Sequence, residues 1–111
     1  MQRLFKETPI FTARLKENAD SSLLFLIQGE ILQNPKVGDV VAGTGGVRKM
    51  RVRDASRLKG KRGGLRILYL DLPDREITFL LYLYGKDEAE DISSEEKKEF
   101  KRLVSIIKGE K

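Results

Sequence analysis

A chain of 111 residues without a single Cys or His has no disulfides, no thiolate metal site and no imidazole acid–base chemistry, and is long enough for one modest core. Apolar residues make up 40% and charged ones 35%, and no apolar run nears the ~20 residues that span a bilayer, so one soluble, cytoplasmic domain over residues 1–111 is expected. The net charge of +5 is concentrated: residues 46–75 hold ten Lys/Arg against three Asp/Glu, while the flanking segments come to 0 and −2.

The N-terminal MQRLFKETPIF lacks the apolar segment of a signal peptide. Within LFKETPIF, residues 4–11, Pro9 cannot donate to a ladder, so a strand here is expected at a sheet edge or ending near Pro9. Thr12 is a candidate cap for a short helix carrying Ala13, Leu15 and Lys16. Asp20 or Ser21 can cap a second helix, on which Leu23, Leu24, Ile27, Ile31 and Leu32 fall at helical spacing. Gly29 weakens it by roughly 1 kcal/mol against Ala. Asn34-Pro35 and Gly38-Asp39 end it and open a glycine-rich loop, GDVVAGTGG.

Residues 47–53 read as a strand with Met50 and Val52 on one face and Lys49, Arg51 and Arg53 on the other. DASRLKGKRGG, residues 54–64, is a basic connection. In LRILYLDL, Leu65, Ile67, Tyr69 and Asp71 share one face and Arg66, Leu68 and Leu70 the other. PDRE is a turn. ITFLLYLYG is apolar on both faces, which suits a central strand. After an acidic loop, Ser93 and Glu96 form a capping box opening a last helix striped by Phe100, Leu103, Val104 and Ile107. Short turns between the late strands predict an antiparallel meander with the early helices on one face and the cations on the other.

Side chains two apart on a strand are ~7 Å apart, close to the phosphate spacing of a nucleic acid, so Lys49, Arg51 and Arg53 can track a backbone. Arg66 joins them if it sits on the same side of the next strand. Arg48 and the loop cations Arg57, Lys59, Lys61 and Arg62 enlarge the patch. Like charges on one face repel, so a polyanionic partner is the economical explanation and a solvated charged face the plain one. Cleaving RNA by internal attack requires a base for the 2′-hydroxyl, charge stabilisation at phosphorus and an acid for the 5′-oxygen. Arg only stabilises charge, whereas Lys acts as a base where crowded cations lower its pKa, as Arg48 and Arg51 crowd Lys49. Tyr84 and Lys86 are the other candidates for proton transfer. The residues alone leave binding and cleavage both open.

The stretches F-K-E-T-P-I-F-T (5–12), L-Q-N-P-K-V-G-D-V-V-A-G-T-G-G-V-R-K-M-R (32–51), K-G-K-R-G-G-L-R-I-L-Y (59–69), L-Y-G-K-D-E (83–88) and D-I-S-S-E-E (91–96), in this order and spacing, resemble the RelE/HigB superfamily of type II toxin–antitoxin toxins, nearest the HigB-type branch. The resemblance covers most of the chain. It implies an α+β RelE-like fold: a twisted antiparallel sheet, two N-terminal helices on one face, and a C-terminal helix. It implies a ribosome-dependent messenger RNA endoribonuclease working without metal or cofactor through 2′-hydroxyl attack on the adjacent phosphate. The family's strand-borne basic residues match Lys49 and Arg51, followed by Arg53. Its G-x-R-hydrophobic-hydrophobic-Tyr arginine matches Arg66, and the position after the last strand falls at Lys86. Some relatives carry an arginine and a later tyrosine where this chain has Asp87 and then Ile92 and Ser93. The HigB-type branch shares this acidic variant, with Tyr84 before the Gly-Lys pair. The proton donor and acceptor thus stay open between Lys49, Tyr84 and Lys86. Partners implied are a helix-turn-helix antitoxin, the ribosome and messenger RNA, with DNA reached only through the antitoxin. The alternatives are a basic RNA- or ribosome-binding protein that does not cut, and an inactive toxin relic that only binds its antitoxin.

Overall fold

The computed structural model describes residues 3–17, 22–52, 64–85 and 91–109. In chain order they form β1 (Leu4–Glu7), α1 (Pro9–Glu17), α2 (Leu23–Gln33), β2 (Asp39–Val40), β3 (Arg48–Val52), β4 (Leu65–Leu72), β5 (Ile77–Gly85) and α3 (Ser94–Lys108). One sheet runs β1-β5-β4-β3-β2. The expected meander β3-β4-β5 is antiparallel, and so is the pairing of β2 with β3. β1 adds itself parallel to β5, which makes this α+β sheet mixed and β5 internal.

Pro9 accounts for the entry into α1. β1 stops at Glu7, and Pro9 becomes the first helical residue, where a missing N–H costs nothing. The cap is Thr8, whose Oγ1 accepts from Phe11 N at 3.1 Å. Thr12, expected as the cap, lies inside the helix and donates to Glu7 at 2.6 Å. Asp20 and Ser21, the expected caps of α2, lie outside the described residues.

The sheet carries a core on each face. On one, Met50, Val52, Leu65, Ile67, Tyr69, Leu80 and Leu83 pack against Phe11 of α1 and Leu23, Ile27 and Ile31 of α2. On the other, Val47, Leu68, Leu70, Leu81 and Tyr84 lie with Ile92 and Val104, and Phe100, Leu103 and Ile107 complete the stripe of α3. The face expected to carry only cations is therefore partly roofed by α3. That helix starts with the expected reciprocal cap of Ser93 and Glu96. At its other end the Arg75 guanidinium donates to the carbonyls of Ile107 (3.0 Å) and Lys108 (3.1 Å), and Gly45 (φ +81°) turns beneath Val104.

The register of β5 sets up the functional face. Leu68 pairs with Tyr82, but Tyr69 pairs with Leu80, so Leu81 is an extra residue, a β-bulge. Thr8 holds it in place: its N–H donates to Leu80 O (3.1 Å) and its hydroxyl to Leu81 O (2.8 Å). Below the bulge, Phe79 and Leu81 face α3; above it, Tyr82 and Tyr84 do. Past the end of β1, Arg14 takes over the open edge of β5, donating through Nε to Leu83 O and stacking its guanidinium 4.9 Å from the Tyr82 ring centre.

The loop into β2 rests on Tyr69. Its buried hydroxyl donates to Pro35 O at 2.8 Å and accepts from Gly38 N at 2.9 Å. Burial raises the pKa of this phenol, the largest influence on it, so it stays a donor at every pH of interest. A Cβ on Gly38 would lie 2.8 Å from Lys49 O, which requires glycine there. Tyr69→Phe strands the buried Gly38 N–H and is expected to cost about 2 kcal/mol, read as a lower urea midpoint at unchanged slope.

Candidate RNA-contacting face

Arg51 on β3, Arg66 on β4 and Tyr84 on β5 stand directly opposite one another in register. One step along the same face, Lys49, Leu68 and Tyr82 do the same. Alternation on β3 and β4, together with the bulge in β5, gathers Lys49, Arg51, Arg66 and Tyr84 on the side away from α1 and α2. Arg48 does not join them. It points to the opposite face with Met50 and Val52, and its guanidinium donates to Gly38 O at 2.7 Å. Arg53, Arg57, Lys59, Lys61, Arg62 and Lys86 lie outside the described residues.

Arg66 is 7% exposed, and among the described residues it makes no ion pair. Arginine is rarely buried without a carboxylate, because desolvating a cation costs several kcal/mol. A Cβ on Gly64 would lie 3.4 Å from Arg66 Nη1, so glycine there leaves the guanidinium room. Arg51, facing it across the ladder, is exposed. Directly opposed like charges are destabilising by about 0.2–1 kcal/mol. Arg51→Thr is therefore expected to raise the melting temperature by about 3 °C in low salt, with the gain shrinking in 1 M salt as the repulsion is screened.

Lys49 meets a carboxylate: its Nζ lies 3.4 Å from Asp91 Oδ1. The same oxygen accepts from Ile92 N at 2.8 Å. That backbone bond first, and Lys49 second, hold the Asp91 carboxyl below its usual range. The pair is solvent-exposed and adds little stability, but it sets where the ammonium rests. Tyr84 is buried, and its hydroxyl has no hydrogen-bond partner among the described residues. Burial above all, then the nearby Asp91 charge, raises its pKa against the opposing pull of Arg66. The phenol therefore stays protonated at neutral pH.

Beside this row a pocket of about 210 Å³ opens between the sheet and the start of α3, lined by Leu68, Tyr82, Tyr84, Asp91, Ile92, Glu96 and Phe100. Sequence reasoning left Asp91 and Tyr82 out of the site. The acidic run before Ser93 was the one signal for Asp91, and nothing in the pattern of β5 marked the bulge that turns Tyr82 this way.

Among solved structures, an arginine-to-alanine double mutant of E. coli toxin RelE in the free state is similar in fold, with a TM-score of 0.53. The match covers 81% of this chain and 90% of that one at 18% identity. The family model of the RelE toxin of the RelE/RelB toxin–antitoxin system matches residues 2–110. The chain belongs to the RelE family and is a toxin of a toxin–antitoxin system.

Proposed function

We propose that the protein is an endoribonuclease that cuts messenger RNA on the ribosome, by attack of a 2′-hydroxyl on the adjacent phosphate, and that a helix-turn-helix antitoxin neutralises it. The observation that carries this reading is the buried Arg66, unpaired among the described residues and set between Arg51 and Tyr84. A guanidinium there can grip two oxygens of a phosphate as charge builds on it. Arg51 and Lys49 bind and neutralise the flanking backbone. Tyr84, whose hydroxyl finds no partner among the described residues, is our candidate to give a hydrogen bond, and then a proton, to the departing 5′-oxygen. Lys86 and the loop cations Arg53, Arg57, Lys59, Lys61 and Arg62 extend the contact to the RNA. The base that takes the 2′-hydroxyl proton is assigned between Lys49 and Lys86.

Induced expression followed by mapping of messenger 5′ ends tests the reading. New ends within translated frames, absent when Arg66 is replaced, are expected. Growth arrest without new ends would favour a ribosome binder that does not cut. Binding supplies a separate check: affinity for ribosomes should fall steeply, linearly in log–log form, as salt rises. A flat response from low to moderate salt would mean that the basic face is not the contact surface.

A further inference from the structure

The pocket beside the cationic row differs from it in chemistry. Its floor and walls are aromatic: Tyr82 and Phe100 pack edge-on at 6.3 Å between ring centres, and Tyr82 and Tyr84 lie tilted at 6.0 Å. It is also lined by two carboxylates, Asp91 and Glu96. Glu96 uses Oε1 to accept from Ser93 N, and Asp91 uses Oδ1 for Ile92 N and Lys49, so each keeps a second oxygen outside those bonds. Tyr84, 4% exposed, lines the same cavity, and its buried hydroxyl has no partner among the described residues. A buried phenol left unsatisfied costs stability unless something completes it.

Two carboxylates repel a phosphate, so the pocket is not an extension of the phosphate track. The cavity is sized for a single flat ring system. Unstacked RNA bases are recognised by stacking on aromatic side chains and by hydrogen bonds to their edges. Carboxylate oxygens accept from an exocyclic amino group, which adenine, cytosine and guanine present and uracil lacks. We propose that this pocket is a nucleobase subsite that takes the base of a nucleotide flanking the cut phosphate and selects amino-bearing bases over uracil. This rests on the reading of the protein as a ribonuclease. The arrangement divides the labour: Lys49, Arg51 and Arg66 hold phosphates, and the acidic aromatic pocket next to them holds a base. Lys49 links the two, since it pairs with Asp91, which lines the pocket.

The test has two arms. In the first, ribosome-bound messengers that differ only in the base on either side of the cut are cleaved by wild type and by Glu96→Gln. The amide of Gln still accepts from Ser93 N, so the cap and the melting temperature are retained. Wild type is expected to prefer amino-bearing bases at one of the two positions by on the order of tenfold, and the variant to narrow that preference to about threefold or less by slowing only the preferred substrates. An unchanged preference in Glu96→Gln would overturn the proposal. In the second arm, AMP, CMP, GMP and UMP are titrated into the free protein and followed by NMR. The ring resonances of Tyr82 and Phe100 are expected to shift with the first three and not with UMP. Shifts confined to the strand carrying Lys49 and Arg51 would mean that the nucleotide binds by its phosphate alone, and would also overturn it. Should no ribosome-bound messenger be cut, the ribonuclease reading falls, and the mononucleotide titration alone decides the pocket.

Discussion

Arg66→Lys is expected to slow single-turnover cleavage of ribosome-bound messenger by about 100-fold, roughly 2.7 kcal/mol in the barrier, and to change ribosome binding by less than about threefold. The substitution keeps a positive charge between Arg51 and Tyr84 and removes the planar fork that holds two phosphate oxygens at once. Binding in the ground state depends on the whole basic face, most of which is untouched. On the proposed reading the transition state depends on this one group, since Arg66 is the buried cation of the row. Equal losses in binding and cleavage would assign Arg66 to uniform RNA binding and remove it from catalysis. Lys49→Met provides the contrast. If Lys49 is the base, its loss flattens the rise of rate with pH; if it only neutralises charge, the profile keeps its shape at a lower rate.

Asp71→Ala should lower the melting temperature by about 15 °C, corresponding to roughly 3 kcal/mol. Asp71 lies on β4 and accepts from the hydroxyl of Thr78, its cross-strand neighbour on β5, at 2.9 Å. Its Oδ1 also accepts from Arg3, which stands just before β1. The side chains are 5% and 11% exposed, so water cannot replace the lost carboxylate. One carboxylate thus ties three strands together across the sheet, and removing it takes the acceptor away from both donors. Asp71→Asn, which keeps an acceptor but loses the charge, should fall between wild type and Asp71→Ala. Thermal unfolding of the two variants checks the order, and equal stability of Asp71→Ala and wild type would show that this carboxylate does not hold the strands together.

Those features of the fold that follow from local patterns were legible in the sequence. Alternation along 48–52 placed Lys49 and Arg51 opposite Met50 and Val52, and the Ser93–Glu96 box located the start of α3. The same alternation already sets Arg48 on the other face; grouping it with its neighbours by charge alone obscured this. The start of α1 turned on two competing signals, and Pro9 behind Thr8 outweighed Thr12. What stayed hidden depends on contacts distant in sequence. Asp91 meets Lys49 from 42 positions away, and β2 is two residues long, held by its register with β3. The roof that α3 lays over the cationic side needed the sheet's second face to be seen as a core, which the apolar positions of β5 imply only once their facing is known.

That facing is decided by Leu81. β5 is apolar on both sides, so its hydrophobic content tolerates either parity, and the choice falls to one surplus residue pinned by Thr8. Two relatives with tyrosines at matching distances from the start of this strand would present them to opposite sides of the sheet if only one kept the surplus residue. Matching letters along β5 is therefore insufficient to transfer a role to Tyr84; its cross-strand partner, Arg66, has to be matched as well.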